Sequence, residues 1–257
     1  MKKRTIGYLF LVAMLSLTML GCQSSQESVE DKEILFQYST LGSLLEGVYD
    51  GEMTYTELKR HGDFGLGTFN ALDGEMIEID HQVYQIKADG VAYQVDGEMK
   101  TPFAVVTYFE PDQTVAIGEM IDCEQLKEYL DSLLPTENIP YALKIDGKFN
   151  YMKTRSVPRQ NKPYPRLLDV LEEQPIFEFY EIEGVMVGFR LPSYMDGANA
   201  PGYHFHFITG DRNAGGHVLE CQPHDIKVEI DYTNEWYTVL PEDDEFYDVE
   251  MTGDEYQ

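Results

Sequence analysis

Apolar and polar positions alternate with a period of two over much of the chain. At 75–80, Glu75, Ile77 and Ile79 fall on one side of an extended strand, and Met76, Glu78 and Asp80 on the other. That pattern predicts Glu78 and Asp80 to be solvated. Glu75 instead projects along the apolar side, where an unpaired carboxylate is costly. It has a partner, a raised pKa or both, or else it sits at an exposed mouth beside the Asp73-Gly74 turn. Further strands are predicted at 83–87, 91–95 and 101–109. Runs 141–145 and 148–157 flank Asp146-Gly147, a hairpin signal. The second run puts Phe149, Tyr151, Lys153, Arg155 and Val157 on one face. Arg155 therefore either reaches inward from an aromatic-lined side or lies on the surface. Residues 176–191 divide into two strands at Glu183-Gly184, and 227–231 and 236–240 extend the sheet.

Helical spacing is rarer. Residues 41–50 read as a short helix with Ser39 or Thr40 as N-cap. Thr54-Tyr55-Thr56-Glu57 is a capping box opening a second helix. The clearest helix is 121–134, capped by Asp122 and ended by Pro135, with Leu126, Tyr129, Leu130, Leu133 and Leu134 as its apolar stripe. Residues 166–173 give a fourth. Residues 64–68, with Gly65 and Gly67, read as a loop able to approach a ligand closely, or as a plain connector. The proline-rich stretch 158–165 is a candidate boundary. The pattern predicts an α+β chain of two β-sheet-based domains, mostly antiparallel or mixed strands with few helices. The expected division is an N-terminal mixed-sheet domain at 34–160 and a C-terminal antiparallel-sheet domain at 161–257. The acidic tail from 241 is expected to be ordered only in part.

Composition adds two constraints. Hydrophobic residues make up 43% of the 257, enough for a real core, and the formal net charge is −27. Such a surface repels nucleic acid and anionic membranes. It also repels small anions, so an anionic ligand needs a local cation, either a metal or a buried arginine. Lys2-Lys3-Arg4 followed by an apolar run at 6–20 marks 1–22 as a signal peptide. Its end, Met19-Leu20-Gly21-Cys22, resembles a bacterial lipobox, with 23–33 as a polar tether. A secretory signal with a chance cysteine is the alternative. Either way the mature chain is expected outside the cytoplasmic membrane, extracellular or at the cell surface, touching membrane only through a lipid on Cys22. Cys123 and Cys221 alone make no disulfide framework, so stability is assigned to the core.

Candidate chemistry centres on GYHFHFITGDRNAGGH at 202–217, which holds three of the six histidines. His204 and His206 are two apart and share a strand face. The turn residues of 209–216 form a hairpin that can return His217 beside them. Three imidazoles on one face suit zinc with open positions for water or substrate. The alternative is a polar strand face of hydrogen-bonded or solvated histidines. Cys221, four residues after His217, is either a fourth ligand or a small buried hydrophobe.

Three stretches make the chain resemble the α-acetolactate decarboxylase family over nearly its whole mature length. They are YSTLGSLLEGVYDGEMTYTELKRHGDFGLGTFNALDGEM, PYALKIDGKFNYMKTRSVPRQNKPYP and PGYHFHFITGDRNAGGHVLE. The resemblance implies conversion of 2-acetolactate to acetoin and CO2 with one zinc ion held by His204, His206 and His217. It assigns active-site roles to Glu75 and Arg155, makes Thr68 a substrate contact, and implies a homodimer. Family members carry a further active-site glutamate near a longer C-terminus. Here Glu250 or Glu255 is the candidate substitute, with no motif to align either to it.

In the expected mechanism zinc chelates the ketone and hydroxyl oxygens of the substrate and stabilises the enediolate left by decarboxylation. Arg155 holds the departing carboxylate or delivers a proton, and Glu75 orients water or the substrate hydroxyl. Two other readings fit parts of the pattern. A cupin-like metal oxygenase also uses an HxH with a later histidine, but 209–216 lacks its nearby carboxylate ligand. A non-catalytic zinc- or solute-binding lipoprotein fits Cys22 and the acidic surface.

Overall fold

Alternating segments become strands, and the strands divide between two large sheets and a two-stranded pair, Met53–Thr54 with Lys100–Thr101. The computed structural model describes residues 33–251. The signal peptide, Cys22, nearly all of the tether and Glu255 lie outside them. In chain order, β1 (Ile34–Tyr38) leads to α1 (Leu41–Leu45), β2 (Met53–Thr54), α2 (Tyr55–Leu58) and β3 (Phe64–Thr68). A meander follows, β4 (Glu75–Ile79), β5 (Gln82–Ile86) and β6 (Ala92–Gln94), then β7 (Lys100–Thr101), β8 (Ala104–Thr107) and β9 (Gln113–Ile117). Next come α3 (Cys123–Leu133), β10 (Tyr141–Arg155), α4 (Leu167–Leu171) and β11 (Ile176–Leu191). The chain ends through β12 (Gly202–Thr209), β13 (Gly215–Tyr232), β14 (Glu235–Val239) and α5 (Asp244–Asp248).

The first sheet has seven strands in the order β14-β1-β8-β3-β4-β5-β6, with β1 and β14 parallel and its other pairs antiparallel. The second runs β10-β11-β12-β13-β9, and β10 also pairs with β13, so it closes on itself. The predicted α+β class with few helices holds. Leu66, Ile77 and Val105 of the first sheet meet Val187, Phe189 and Ile208 of the second in one apolar layer. Behind the second sheet, Leu126 and Leu130 of α3 pack with Phe205, Phe207 and Ile226. Behind the first, Tyr55 and Leu58 of α2 cover Phe36, Met76 and Val106. Thr40, Thr54 and Asp122 each accept from the N–H three residues on; the box read at Thr54 and Glu57 is only half made, whereas Asp122 and Gln125 form a full one.

Several expectations are corrected. Residues 64–68 are a central strand, not a loop. A Cβ at Gly65 would lie 2.1 Å from the Val105 carbonyl oxygen, and one at Gly67 2.5 Å from that of Phe103, so the glycines serve close strand packing. Asp146-Gly147 makes no hairpin: 141–155 is one strand, and Gly147 (φ 149°) sits at an irregularity in its pairing with β13. Glu183-Gly184 lies within one strand too, with Gly184 directly opposite Gly147. The boundary near 160 does not separate the sheets. β9 and β10 precede it yet join the second sheet, and β14 follows it yet joins the first. The proline stretch is pinned instead, by Gln160 N–H to the Ala71 carbonyl (2.7 Å) and Tyr164 Oη to Asp50 (3.0 Å).

Cys123 and Cys221 form a disulfide joining the start of α3 to β13. The unpaired Leu219 causes it: Lys153 faces Glu220 while Thr154 faces Val218, so the strand slips and turns Cys221 away from the His217 side into the α3 layer. Cys221 is therefore no metal ligand. The bond spans 98 residues of chain, a separation at which cross-linking stabilises by about 2–5 kcal/mol. Unfolding titrations of Cys221→Ser should show a loss in that range, reproduced in the parent by reductant.

Glu78 is buried, not solvated, because α2 and its neighbours cover the outer face of the first sheet. Neither carboxylate oxygen has a hydrogen-bond partner among the described residues. Burial raises its pKa to about 8, against the opposing pull of Lys59. The folded state thus binds the proton more tightly than the unfolded chain. Stability is fully present below pH 4.5 and is lost as pH rises toward 8. Relative to the parent, Glu78→Gln should gain stability over that window, reaching roughly 3–5 kcal/mol above pH 8. Equal denaturation curves at every pH would contradict this.

Candidate active site

The site forms where the two sheets face each other. His206 of β12 lies directly opposite His217 of β13, and Arg155, the last residue of β10, lies opposite His217 on that strand's other side. Alternation along β12 turns His204 and His206 toward the first sheet, while Phe205 and Phe207 enter the α3 layer. Gly216 (φ 141°) allows this approach: a Cβ there would lie 2.3 Å from the Arg155 carbonyl oxygen. From the first sheet comes Glu75, opposite both Thr68 and Ile86. The six sequence-derived residues, Thr68, Glu75, Arg155, His204, His206 and His217, all line one cavity.

One ligand atom from each histidine lies within 4.8 Å of the other two, and His204 Nε2 is 3.2 Å from His217 Nδ1. Two nitrogens about 2.0–2.1 Å from a tetrahedral zinc would sit roughly 3.3 Å apart. His206 Nδ1 donates to the Met76 carbonyl (2.7 Å), which fixes the tautomer and leaves the Nε2 lone pair facing inward. That Nε2 is buried, makes no protein hydrogen bond among the described residues, and lies 3.5 Å from a Glu75 oxygen. Burial holds His204 down at about 4 and drives His206 and His217 well below the ordinary range, with Arg155 adding to each effect. All three imidazoles are thus neutral and able to ligate. This donor set fits a divalent ion.

Burial also raises Glu75 to about 7, although Arg155 pulls it down. The convergence of a carboxyl, a guanidinium and three imidazoles resolves the two open readings: Glu75 has a partner, and Arg155 points inward, 8% exposed. The aromatic stripe predicted beside Arg155 does not hold, since an irregularity after Phe149 turns that ring into the α3 layer. Thr68 Oγ1 donates to the Gly74 carbonyl (2.7 Å), so its hydroxyl offers the cavity lone pairs only. Glu250 is exposed and does not line the cavity. Sequence reasoning missed the apolar wall of Leu41, Leu44, Leu72, Phe103, Val157 and Leu167. It also missed the Met76 carbonyl, for which a side-chain pattern holds no signal.

A buried metal-type donor set beside one carboxyl and one cation is the arrangement of an enzyme site for a small anion. The sequence profile described as Alpha-acetolactate decarboxylase matches residues 35–253. A curated protein of that name from Methanosarcina mazei is 48% identical over 90% of this chain and 83% of its own. One from Methylococcus capsulatus is 49% identical over 86% and 85%. The crystal structure of alpha-acetolactate decarboxylase from Bacillus subtilis strain 168 superposes with a TM-score of 0.84 at 40% identity, covering 85% of this chain and 94% of that one. The chain belongs to the alpha-acetolactate decarboxylase family, whose members are carboxy-lyases.

Replacing Gly216 with alanine forces a side chain against the Arg155 backbone at a positive φ. The strain, about 1–3 kcal/mol, falls on His217. Calorimetric titration with a divalent metal should show affinity at least roughly tenfold weaker in Gly216→Ala than in the parent.

Proposed function

We propose that this enzyme decarboxylates 2-acetolactate to acetoin and CO2 in a zinc-dependent reaction. The observation that carries the reading is the meeting of three neutral imidazoles with Glu75 and Arg155 in one cavity. His204, His206 and His217 would hold the metal. Zinc bound there supplies a Lewis acid for the electron pair that remains when the carbon–carbon bond breaks.

The other groups have separate tasks. Arg155 is the cation lining the cavity, in a chain whose net charge is −27. Its guanidinium offers the substrate carboxylate the attraction that the protein's overall field withholds. Loss of CO2 from the substrate anion consumes one proton at carbon. Glu75, a buried carboxyl 3.5 Å from His206 Nε2, can take the hydroxyl proton and return it to carbon, while the oxygen regains its proton from solvent. Thr68 Oγ1, its own proton committed to Gly74, accepts from a substrate hydroxyl. The leucine and valine wall excludes water, which favours converting a charged carboxylate into neutral CO2. Export of the chain fits the Cys123–Cys221 bond, since such bonds persist in oxidising compartments.

Metal analysis and an acetoin assay test this together. The parent should bind one zinc per chain and release acetoin and CO2 from acetolactate. His204→Ala and His217→Ala should lose the zinc. Glu75→Gln and Arg155→Gln should keep it and lose at least about 10²-fold in kcat/KM. Oxygen uptake with bound iron would point to an oxygenase, zinc without turnover to a binding protein, and full activity in all four variants would refute the scheme.

A further inference from the structure

Two side-chain hydrogen bonds join the second sheet to the first beside Glu75. One is His206 Nδ1 to the Met76 carbonyl. The other is Ser156 Oγ to the Ile86 carbonyl, 2.7 Å long and buried. Ser156 directly follows Arg155, at the point where β10 leaves its sheet. Ile86 ends β5 and lies directly opposite Glu75 in the β4–β5 pair. Gly74 lies close against the same carbonyl: a Cβ there would lie 2.3 Å from its oxygen. Ser156 N–H donates to the Pro175 carbonyl (3.2 Å), which leaves the hydroxyl as the group facing the first sheet. The backbone bearing the guanidinium and the backbone paired with the carboxylate are thus joined through one hydroxyl.

We propose that Ser156 is a positioning residue that sets the span between Arg155 and Glu75, two groups supplied by separate sheets. The proposal rests on the roles given to those two side chains above. A net hydrogen bond contributes only about 0.5–1.5 kcal/mol to folding. A reacting group displaced by about 1 Å can cost roughly 10²-fold in rate. A positioning role therefore predicts a catalytic loss well beyond the loss of stability, whereas a hydroxyl that merely satisfies a buried carbonyl predicts the reverse.

The test uses zinc-loaded full-length protein and the variant Ser156→Ala. Zinc content and KM should stay within about twofold of the parent and the thermal midpoint should fall by only a few degrees, while kcat drops roughly tenfold or more. Ser156→Thr, which restores the hydroxyl, should recover most of kcat. In an Arg155→Lys background Ser156→Ala should add little, because the geometry it protects is already lost. Unchanged kcat per bound zinc, or losses that multiply in the double variant, would overturn the proposal. Should Ser156→Ala fail to fold, Ser156→Cys keeps the volume with a weaker donor and enters the same cycle under the same criteria. Wild-type turnover in Arg155→Gln and Glu75→Gln would sink the functional reading itself. Their inactivation alongside an unaffected Ser156→Ala sinks only this inference.

Discussion

His206 stands directly across from His217 in adjacent strands, and this cross-strand pair decides where chemistry can occur. Once the two imidazoles share a face, strand alternation brings His204 in beside them and sends Phe205 and Phe207 to the opposite side. The histidine face must then be covered, since the phenylalanine face already holds α3. The first sheet supplies the cover and brings a carboxyl and a backbone carbonyl to the histidines. The neighbours Glu75 and Met76 do both jobs: one side chain turns into the cavity, and the other residue's carbonyl orients His206.

Burial then sets the electrostatics. Desolvation works against every charged form, so it neutralises the imidazoles and lifts Glu75 into the neutral range. A guanidinium resists the same pressure because it does not deprotonate in proteins. The cavity therefore keeps a positive centre inside a strongly acidic molecule. Glu78 shows burial outweighing a nearby cation: three residues from Glu75, it is lifted to about 8 despite Lys59 and has no protein hydrogen bond among the described residues.

The framework behind the site is stiffer than a pair of stacked sheets requires. The second sheet closes through the β10–β13 pairing, and the disulfide fastens α3 to the rear of the strand that carries His217. Toward the first sheet, the bonds of His206 and Ser156 bracket Glu75. The β5–β6 hairpin also docks on the glycine-rich turn through Ala92 N–H to the Asn213 carbonyl (2.9 Å). Strand slips at Leu219 and after Phe149 are part of the same construction, because each re-aims the side chains beyond it.

Much of this was legible along the chain. Period-two alternation marked Glu75 as misplaced for a solvated carboxylate, capping residues marked the helix starts, and HxH with a turn and a returning histidine marked the histidine trio. Family resemblance joined Glu75, Arg155 and Thr68 to that trio. Local rules failed where a residue's environment is made by distant segments. Gly65 and Gly67 look like loop residues until β8 packs on them, and Asp146-Gly147 looks like a turn until strands on both sides hold it straight. Sequence alone determined which side chains can share a strand face, because alternation is a property of the local backbone. Only the tertiary structure decided which faces are buried, which cysteines meet and which carbonyls orient the site, because those depend on contacts between residues far apart in the chain.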